Sequence, residues 1–354
     1  MANESGSRRP TVETISQLAG VSPSTVSRAL NGDKRISAKT RTLIAEIARE
    51  LGYFPHANAR SLITRRSGLV GFVMGDINNP FYPELLERLV NRCSERGQRL
   101  MVLHVGRASL QESTIEALLQ YQMDGCIISS AELTSRAAEI CLRYRVPLVM
   151  INRVPRIHSC AVSCDNEGGG RLLCELLIAA GHRRIAIVAG TPNTSTSSNR
   201  EAGAMAILKR HGLAPFARLA GHSTYEGGLA AAEELASRRQ LPDAVYAIND
   251  IMALGVIDGL RKRGIAIPDD VSVVGFDDIR MASWPAYDLT TVAQPLDAMV
   301  DRAIDLLEER ILNPESPGEQ VYISGELRIR SSCRLPPNMS EFLINYGCEH
   351  PTST

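Results

Sequence analysis

Residues 11–31 read Thr-Val-Glu-Thr-Ile-Ser-Gln-Leu-Ala-Gly-Val-Ser-Pro-Ser-Thr-Val-Ser-Arg-Ala-Leu-Asn, two short amphipathic periods separated by one turn. Thr11 is placed to accept a hydrogen bond from an orphan amide, and Val12, Ile15, Leu18 and Ala19 recur at helical spacing. A helix is therefore expected to run to Ala19 and to stop at Gly20. Ser22 is the next cap, and Pro23 the first helical residue, where a missing amide proton costs nothing and φ is already helical. In this second helix Val26, Ala29 and Leu30 turn inward while Ser24, Thr25, Ser27 and Arg28 turn outward. A third helix is expected from a Ser37 cap to Leu51, with Gly52 at its end and Leu43, Ile44, Ile47, Ala48 and Leu51 closing a small core.

Helix, tight turn and helix is an arrangement suited to DNA. Small hydroxyl side chains near the start of the second helix let its backbone approach a duplex, and an arginine one turn later reaches O6 and N7 of a guanine in the major groove. Any small three-helix domain could share these caps and stripes, so charge is the stronger discriminator. Residues 1–66 hold 11 Lys and Arg against 5 Asp and Glu, a net of +6, whereas the whole chain has 39 of each, leaving −6 for the remainder. A cationic module joined to an acidic body suits phosphate contact at one end only.

The run from Thr11 to Asn31, its continuation Glu50-Leu-Gly-Tyr-Phe-Pro55 and the later Ala59-Arg-Ser-Leu62 resemble the LacI/GalR (lactose-repressor/galactose-repressor) family of transcriptional regulators, and the likeness extends through residue 335. The resemblance implies that Pro23 and Ser24 stand at two base-reading positions of the recognition helix and Arg28 at a third. Pro23 departs from the usual polar choices: it can touch a thymine methyl but reads no base edge by a side-chain hydrogen bond. Pro55 to Leu62 is too short to hold a helix alone, since isolated helices under about 12 residues are marginal in water. By resemblance it is a hinge helix that folds on DNA as one of a pair, with Asn58 and Arg60 as further DNA contacts and Leu62 as the minor-groove wedge. The implied partners are double-stranded operator DNA, a second copy of the chain, and a small effector that is a sugar, sugar acid or sugar phosphate.

Working outward, 354 residues leave about two domain-sized units beyond the first 66. The expected division is 1–54 for the helix-turn-helix domain, 55–66 for hinge and linker, 67–335 for a two-lobed effector-binding and dimerisation domain, and 336–354 for a C-terminal tail. From Gly68 onward, β-branched runs alternate with helix-length amphipathic segments: Leu69–Met74, Leu100–Val105, Gly125–Ser130 and Pro147–Asn152, then Arg184–Gly190, Ala244–Asp250 and Val271–Asp278. Helices are expected near Glu167–Ala180, Arg200–His211, Glu226–Arg238 and Ile251–Arg263. This is the signature of parallel α/β lobes. The fold class expected is a small all-α helix-turn-helix domain followed by an α/β two-lobed body like the periplasmic binding proteins, with Leu289–Gln294 and Val321–Arg330 as late strands crossing between lobes.

Ligands of open α/β sheets bind beyond the carboxyl ends of strands, and those ends are polar here. Asp76, Asn152-Arg153, Asp165-Asn166, Asn249-Asp250 and Asp277-Asp278 all lie at such turns. Asp and Asn are also favoured as helix caps there, which is at least as good an account of Asp250 and Asp278. For Asn249 and Asp277 the family position favours the ligand, and Arg200 matches the family arginine that reaches effector. Phe81, Tyr82 and Trp284 are candidates to cover an apolar sugar face. Ser223 stands where relatives often carry an aromatic residue, which points to a roomier or more polar site.

Other classes are disfavoured. Gly71 and Gly75 make no dinucleotide fingerprint, there is no Gly-x-x-x-x-Gly-Lys, Gly-x-Ser-x-Gly or His-Glu-x-x-His, and the Gly168–Gly170 triplet lies inside an expected helix without a phosphate partner, so neither an enzyme nor a cofactor is expected. The 8 cysteines lack the paired spacing of a metal site. The N-terminus has no apolar secretory core and no later run would span a membrane, so the expected location is the cytoplasm. The tail after Pro336 has no leucine heptads, which favours a dimer over a tetramer.

Overall fold

The computed structural model describes residues 10–53, 66–75, 77–104, 120–129, 141, 143–154, 160–192 and 194–346. The expected hinge segment with Asn58, Arg60 and Leu62, and the strand-end residue Asp76, lie outside them. The chain divides into two compact units, Met1–Gly68 and Leu69–Thr354.

In the first unit, α1 (Val12–Ala19), α2 (Pro23–Leu30) and α3 (Ala38–Glu50) begin where their caps demand. Thr11 Oγ1 accepts from the Thr14 amide at 3.3 Å, Ser22 Oγ from Thr25 at 3.2 Å, and Ser37 Oγ from Thr40 at 3.1 Å, so each first turn has an orphan donor satisfied. Gly20 ends α1 with φ of 63°, a left-handed turn that suits glycine. Ile15, Val26, Ala29, Ile44 and Ala48 form the core. Two residues expected in it are exposed instead: Leu18 at 61% and Leu43 at 45%. At about 100° per residue, Val12, Ile15 and Ala19 fall on one arc of α1 while Leu18 lies beyond its edge; Leu43 lies one residue, and so one such rotation, off the Ile44–Ala48 line of α3.

The second unit is an α/β body of two lobes. Its first sheet, all parallel, has the order β11-β5-β4-β3-β1-β2, from β1 (Leu69–Met74), β2 (Arg99–His104), β3 (Gly125–Ile128), β4 (Leu148–Ile151), β5 (Cys160–Cys164) and the late strand β11 (Gln320–Ile323). The second is β7-β6-β8-β9, from β6 (Ile185–Ala189), β7 (Ala217–Ala220), β8 (Ala244–Ala247) and β9 (Ser272–Val274). Most central strands are buried along their length, as β-branched runs covered on both faces should be. Helices α4 (Phe81–Glu95) and α9 (Leu296–Leu312) pack with the first lobe, and α5 (Asn166–Ala179), α6 (Ser195–Arg210), α7 (Tyr225–Ala236) and α8 (Asp250–Lys262) with the second.

Three segments cross between lobes: β5 into α5, β10 (Thr291–Ala293) into α9, and β11 into β12 (Glu326–Arg328), which pairs antiparallel with β10. The single strand expected over Val321–Arg330 is thus two strands in two different sheets, because its halves find separate partners on either side of Ser324-Gly325. Helix α6 begins at Ser195, five residues ahead of expectation, because Thr194 caps it. Within the segment expected as a tail, α10 (Met339–Tyr346) buries Phe342 and Leu343. Seven cysteines, at 93, 126, 141, 160, 164, 174 and 333, are buried free thiols, and among the described residues no cluster could hold a metal.

Candidate functional site

The outer face of α2 carries Pro23, Ser24 and Arg28 exposed and Thr25 and Ser27 half-buried, as its pattern requires. The Ser22 cap reaches beyond the backbone: its Oγ lies 2.8 Å from Ser24 Oγ and 2.9 Å from Thr25 Oγ1, so these two hydroxyls are held in a local network at the helix start. Arg28 projects one turn later. Just past the helix, Asp33 is paired with Arg35 at 2.7 Å, which pulls its carboxyl down to about 2.

In the body, Arg200 of α6 is the centre of the polar cluster. Its side chain is buried, and every nitrogen has a partner: Nε donates to Asn166 Oδ1 at 2.7 Å, Nη1 to the Ile248 carbonyl at 2.9 Å, and Nη2 lies 2.8 Å from Asp277 Oδ1. The guanidinium stacks over Phe276, 3.8 Å from the ring centroid. Asp277 also accepts from Gln294 Nε2 at 2.7 Å. Burial raises the Asp277 carboxyl above its ordinary range, and Arg200, Gln294 and Arg153 pull it back. These residues come from α5, α6 and the ends of β8, β9 and β10.

A second cluster spans the lobes directly. Arg153, after β4, donates from Nη2 to Tyr82 Oη at 2.9 Å and from Nη1 to Thr196 Oγ1 of the other lobe. The Val154 amide donates to Ser195 Oγ at 3.2 Å, and the Arg280 amide of the second lobe to Glu84 Oε1 of α4 at 3.0 Å. Four polar atoms at strand ends are buried without a hydrogen-bond partner: Ser129 Oγ after β3, Asn152 Oδ1 and Arg153 Nε after β4, and Gln294 Oε1 after β10. Backbone strain gathers at the same ends of the strands, where Asn152, Ser223, Asp277 and Asp278 have φ of 60°, 58°, 129° and 57°.

The structure therefore joins Arg200 to Asp277 and Tyr82 to Arg153, with Asn152 beside the latter. Other candidates fall differently. Phe81 is 2% exposed and edge-on to Tyr82, part of the first-lobe core where an aromatic ring at the start of α4 packs down onto the sheet. Asn249 caps α8, its Oδ1 accepting from the Met252 amide at 3.2 Å. Trp284 follows a 3-10 turn (Arg280–Ser283) and is 49% exposed. Ser223 turns its hydroxyl onto the Thr191 amide at 3.0 Å. Asp278 is paired with Arg330 at 2.7 Å, a structural role. Ser129, Thr196 and Gln294 were missed as site residues; Ser129 and Gln294 end strands, and the rule that singled out Asn152 finds them too. A separate cavity of about 590 Å³ is lined by Gly168, Arg171, Leu172, Ile207, Arg210 and Tyr346 among others, and shares no residue with either cluster.

Asp250 is fully enclosed, with Oδ1 accepting from Thr291 Oγ1 at 2.6 Å and Oδ2 from the Ile279 amide at 3.0 Å. Burial, aided by the neighbouring charge of Asp277 and opposed by these two donors, pushes its carboxyl up to about 8. A carboxyl raised on folding holds its proton more tightly in the native state, so its contribution is complete below about pH 4 and declines as pH rises towards 8. The stability of the natural chain relative to Asp250→Asn is accordingly expected to fall across that interval and level off above it. Melting curves of both proteins from pH 4 to 9 measure this, and parallel curves would show that Asp250 is ionised throughout.

Comparison with known proteins matches residues 11–56 to the bacterial regulatory proteins of the lacI family and residues 174–333 to a periplasmic binding protein-like domain. The ribose operon repressor of Escherichia coli (strain K12) is 34% identical over 327 residues, covering 91% of this chain and 99% of that protein. The lac repressor dimer bound to operator and the anti-inducer ONPF superposes with a TM-score of 0.85 at 26% identity, covering 92% of this chain and 99% of the other. A complex of the transcriptional regulator CelR with cellobiose superposes at 0.69, with 32% identity and coverage of 92% and 100%. The chain belongs to the LacI family of bacterial transcriptional regulators.

Proposed function

We propose that this chain is a cytoplasmic repressor that binds a near-palindromic DNA operator as a homodimer, through α1 and α2 of each copy, under the control of a sugar-like effector held between the lobes of the body. The observation that carries the effector half is the set of buried, unpartnered polar atoms at strand ends, Ser129 Oγ, Asn152 Oδ1, Arg153 Nε and Gln294 Oε1, beside the Arg200–Asp277 pair. Each such atom costs about 1–3 kcal/mol when left unmade, and the vicinal hydroxyls of a sugar offer both donors and acceptors to satisfy them. Relatives support the reading: one structure holds cellobiose and another, a LacI family regulator from Enterococcus faecium, holds ribose. Among the described residues no helix is long and apolar enough to cross a membrane.

DNA reading rests on Pro23, Ser24 and Arg28 as base contacts and on Thr25 and Ser27 as close-approach positions, with Asn58, Arg60 and Leu62 assigned to the hinge by sequence. Half-sites are expected about ten base pairs apart, the spacing of helix-turn-helix dimers. Selection of bound oligonucleotides followed by gel shifts tests this directly. Arg28→Ala is expected to relax specificity at one position per half-site, at about 1–3 kcal/mol for each lost bidentate contact. Equal weakening on operator and random DNA would make Arg28 a phosphate contact. Effector titrated into the operator complex reads the coupling, and the sign of the shift assigns inducer or co-repressor, since linkage is reciprocal.

A further inference from the structure

We propose that the effector of this regulator is an anionic sugar derivative, and that its carboxylate or phosphate is taken by Arg153. The inference rests on the effector site proposed above and concerns the charge of what occupies it. Two guanidiniums belong to this site, and they differ in what neutralises them. Arg200 has all three nitrogens engaged, one by the carboxylate of Asp277 at 2.8 Å, and its face covered by Phe276. Its fork has no edge left for a bidentate ligand. Arg153 is held only by neutral oxygens, the hydroxyls of Tyr82 and Thr196, and its Nε is buried with no partner.

Asp277 is the carboxylate whose charge both arginines feel, and it is already committed to Arg200. Among the described residues the two guanidiniums are bonded by one carboxylate, Asp277, and it is on Arg200; Glu84, at the edge of the second cluster, accepts from the Arg280 amide and from neither guanidinium. Arg153 is thus left without a directly bonded counter-ion whether or not Asp277 is ionised. A partly buried cation without a counter-ion is costly, and an anionic ligand group relieves that cost through charge-assisted hydrogen bonds that a neutral sugar cannot make.

The neighbourhood suits an anion for a second reason. Thr196, the Arg153 partner from the other lobe, lies in the first turn of α6, a helix of 16 residues capped by Thr194. The positive end of that helix dipole and the hydroxyls of Ser195 and Thr196 therefore meet Arg153 across the lobe boundary. Because Arg153 belongs to the first lobe and α6 to the second, an anion bound there contacts both lobes and is sensitive to their arrangement.

The test uses the full chain and a panel of matched probes: D-ribose, D-glucose and cellobiose as neutral sugars; pentose and hexose aldonates and uronates as carboxylates; the corresponding sugar phosphates; and inorganic phosphate. Isothermal titration is expected to find binding by a sugar carboxylate or a sugar phosphate, and the two arms distinguish which. Arg153→Gln, which keeps hydrogen-bonding capacity and loses charge, is expected to weaken that ligand about ten- to a hundred-fold, with partial rescue by Arg153→Lys. Thr196→Val removes the interlobe acceptor without altering charge, and is expected to keep the preference for anions even if lobe closure suffers. Binding of a neutral sugar with no anion bound, and with affinity unchanged in Arg153→Gln, would overturn the proposal while leaving the effector site intact. Failure of every sugar anion would overturn it too, and binding of inorganic phosphate with equal affinity would show that the sugar is not recognised.

Discussion

Arg200→Ala is expected to destabilise the body of this protein by about 3–5 kcal/mol, the cost of stranding one member of a buried ion pair. Read in sequence alone, Arg200 and Asp277 are ligand contacts. The structure makes them partners of one another first, both buried and 2.8 Å apart, with Arg200 also holding Asn166 and the Ile248 carbonyl. Removing the guanidinium leaves Asp277 without its cation and the Ile248 oxygen without its donor. The double variant Arg200→Met/Asp277→Leu is expected to recover much of the loss, because replacing both charges with apolar groups abolishes the desolvation penalty as well as the attraction. Urea unfolding of the natural chain, Arg200→Met, Asp277→Leu and the double variant closes a thermodynamic cycle. An Arg200→Ala protein with an unchanged midpoint would mean that the pair contributes no stability, and the residue would revert to a ligand contact alone.

Gly170→Ala is expected to cost about 1–3 kcal/mol, towards the upper end, despite adding one methyl group to a helix. A Cβ at Gly170 would stand 2.2 Å from the carbonyl oxygen of Arg200, and one at Gly203 would stand 2.2 Å from the carbonyl oxygen of Glu167. Helices α5 and α6 therefore meet backbone to backbone, and α7 and α8 do the same through Gly228 and Gly255. Helix propensity alone would make the change favourable by up to about 1 kcal/mol, so the sign of the effect separates close packing from local preference. The same substitution displaces the backbone of Arg200, and weaker effector binding should accompany the lost stability. Denaturant midpoints and ligand titration of Gly170→Ala measure both, and a gain in stability would contradict the helix contact.

The Gly168–Gly170 triplet shows where sequence reading stops. Its position inside a helix was legible, and so was the lack of any phosphate-binding partner. Its purpose was not, because two of the three missing Cβ atoms would strike other elements, the Phe276 ring and the Arg200 carbonyl; the third, at Gly168, would strike the Asp165 carboxylate that caps its own helix. The inter-lobe cluster has the same character. Tyr82, Arg153 and Thr196 are far apart in the chain, and Arg153 carries no local sign that its fork will reach a tyrosine on one side and a threonine of the other lobe on the other.

What the chain determined by itself are features set within a turn or two of each residue: the three caps at Thr11, Ser22 and Ser37, the stop at Gly20, the outward face of α2, the buried parallel strands, and the polar residues at their ends. Such features follow from neighbours three or four positions away, which the order of residues specifies outright. Tertiary structure decided which of several polar groups at strand ends pair with one another and which are left unsatisfied. It sent Asn249 to cap α8, Phe81 to the core and Asp250 to staple Ile279 and Thr291, and it divided Val321–Arg330 between two sheets. Those outcomes depend on distances between residues far apart in sequence, and a buried charge or amide takes whichever partner the packing of other elements brings within about 3 Å.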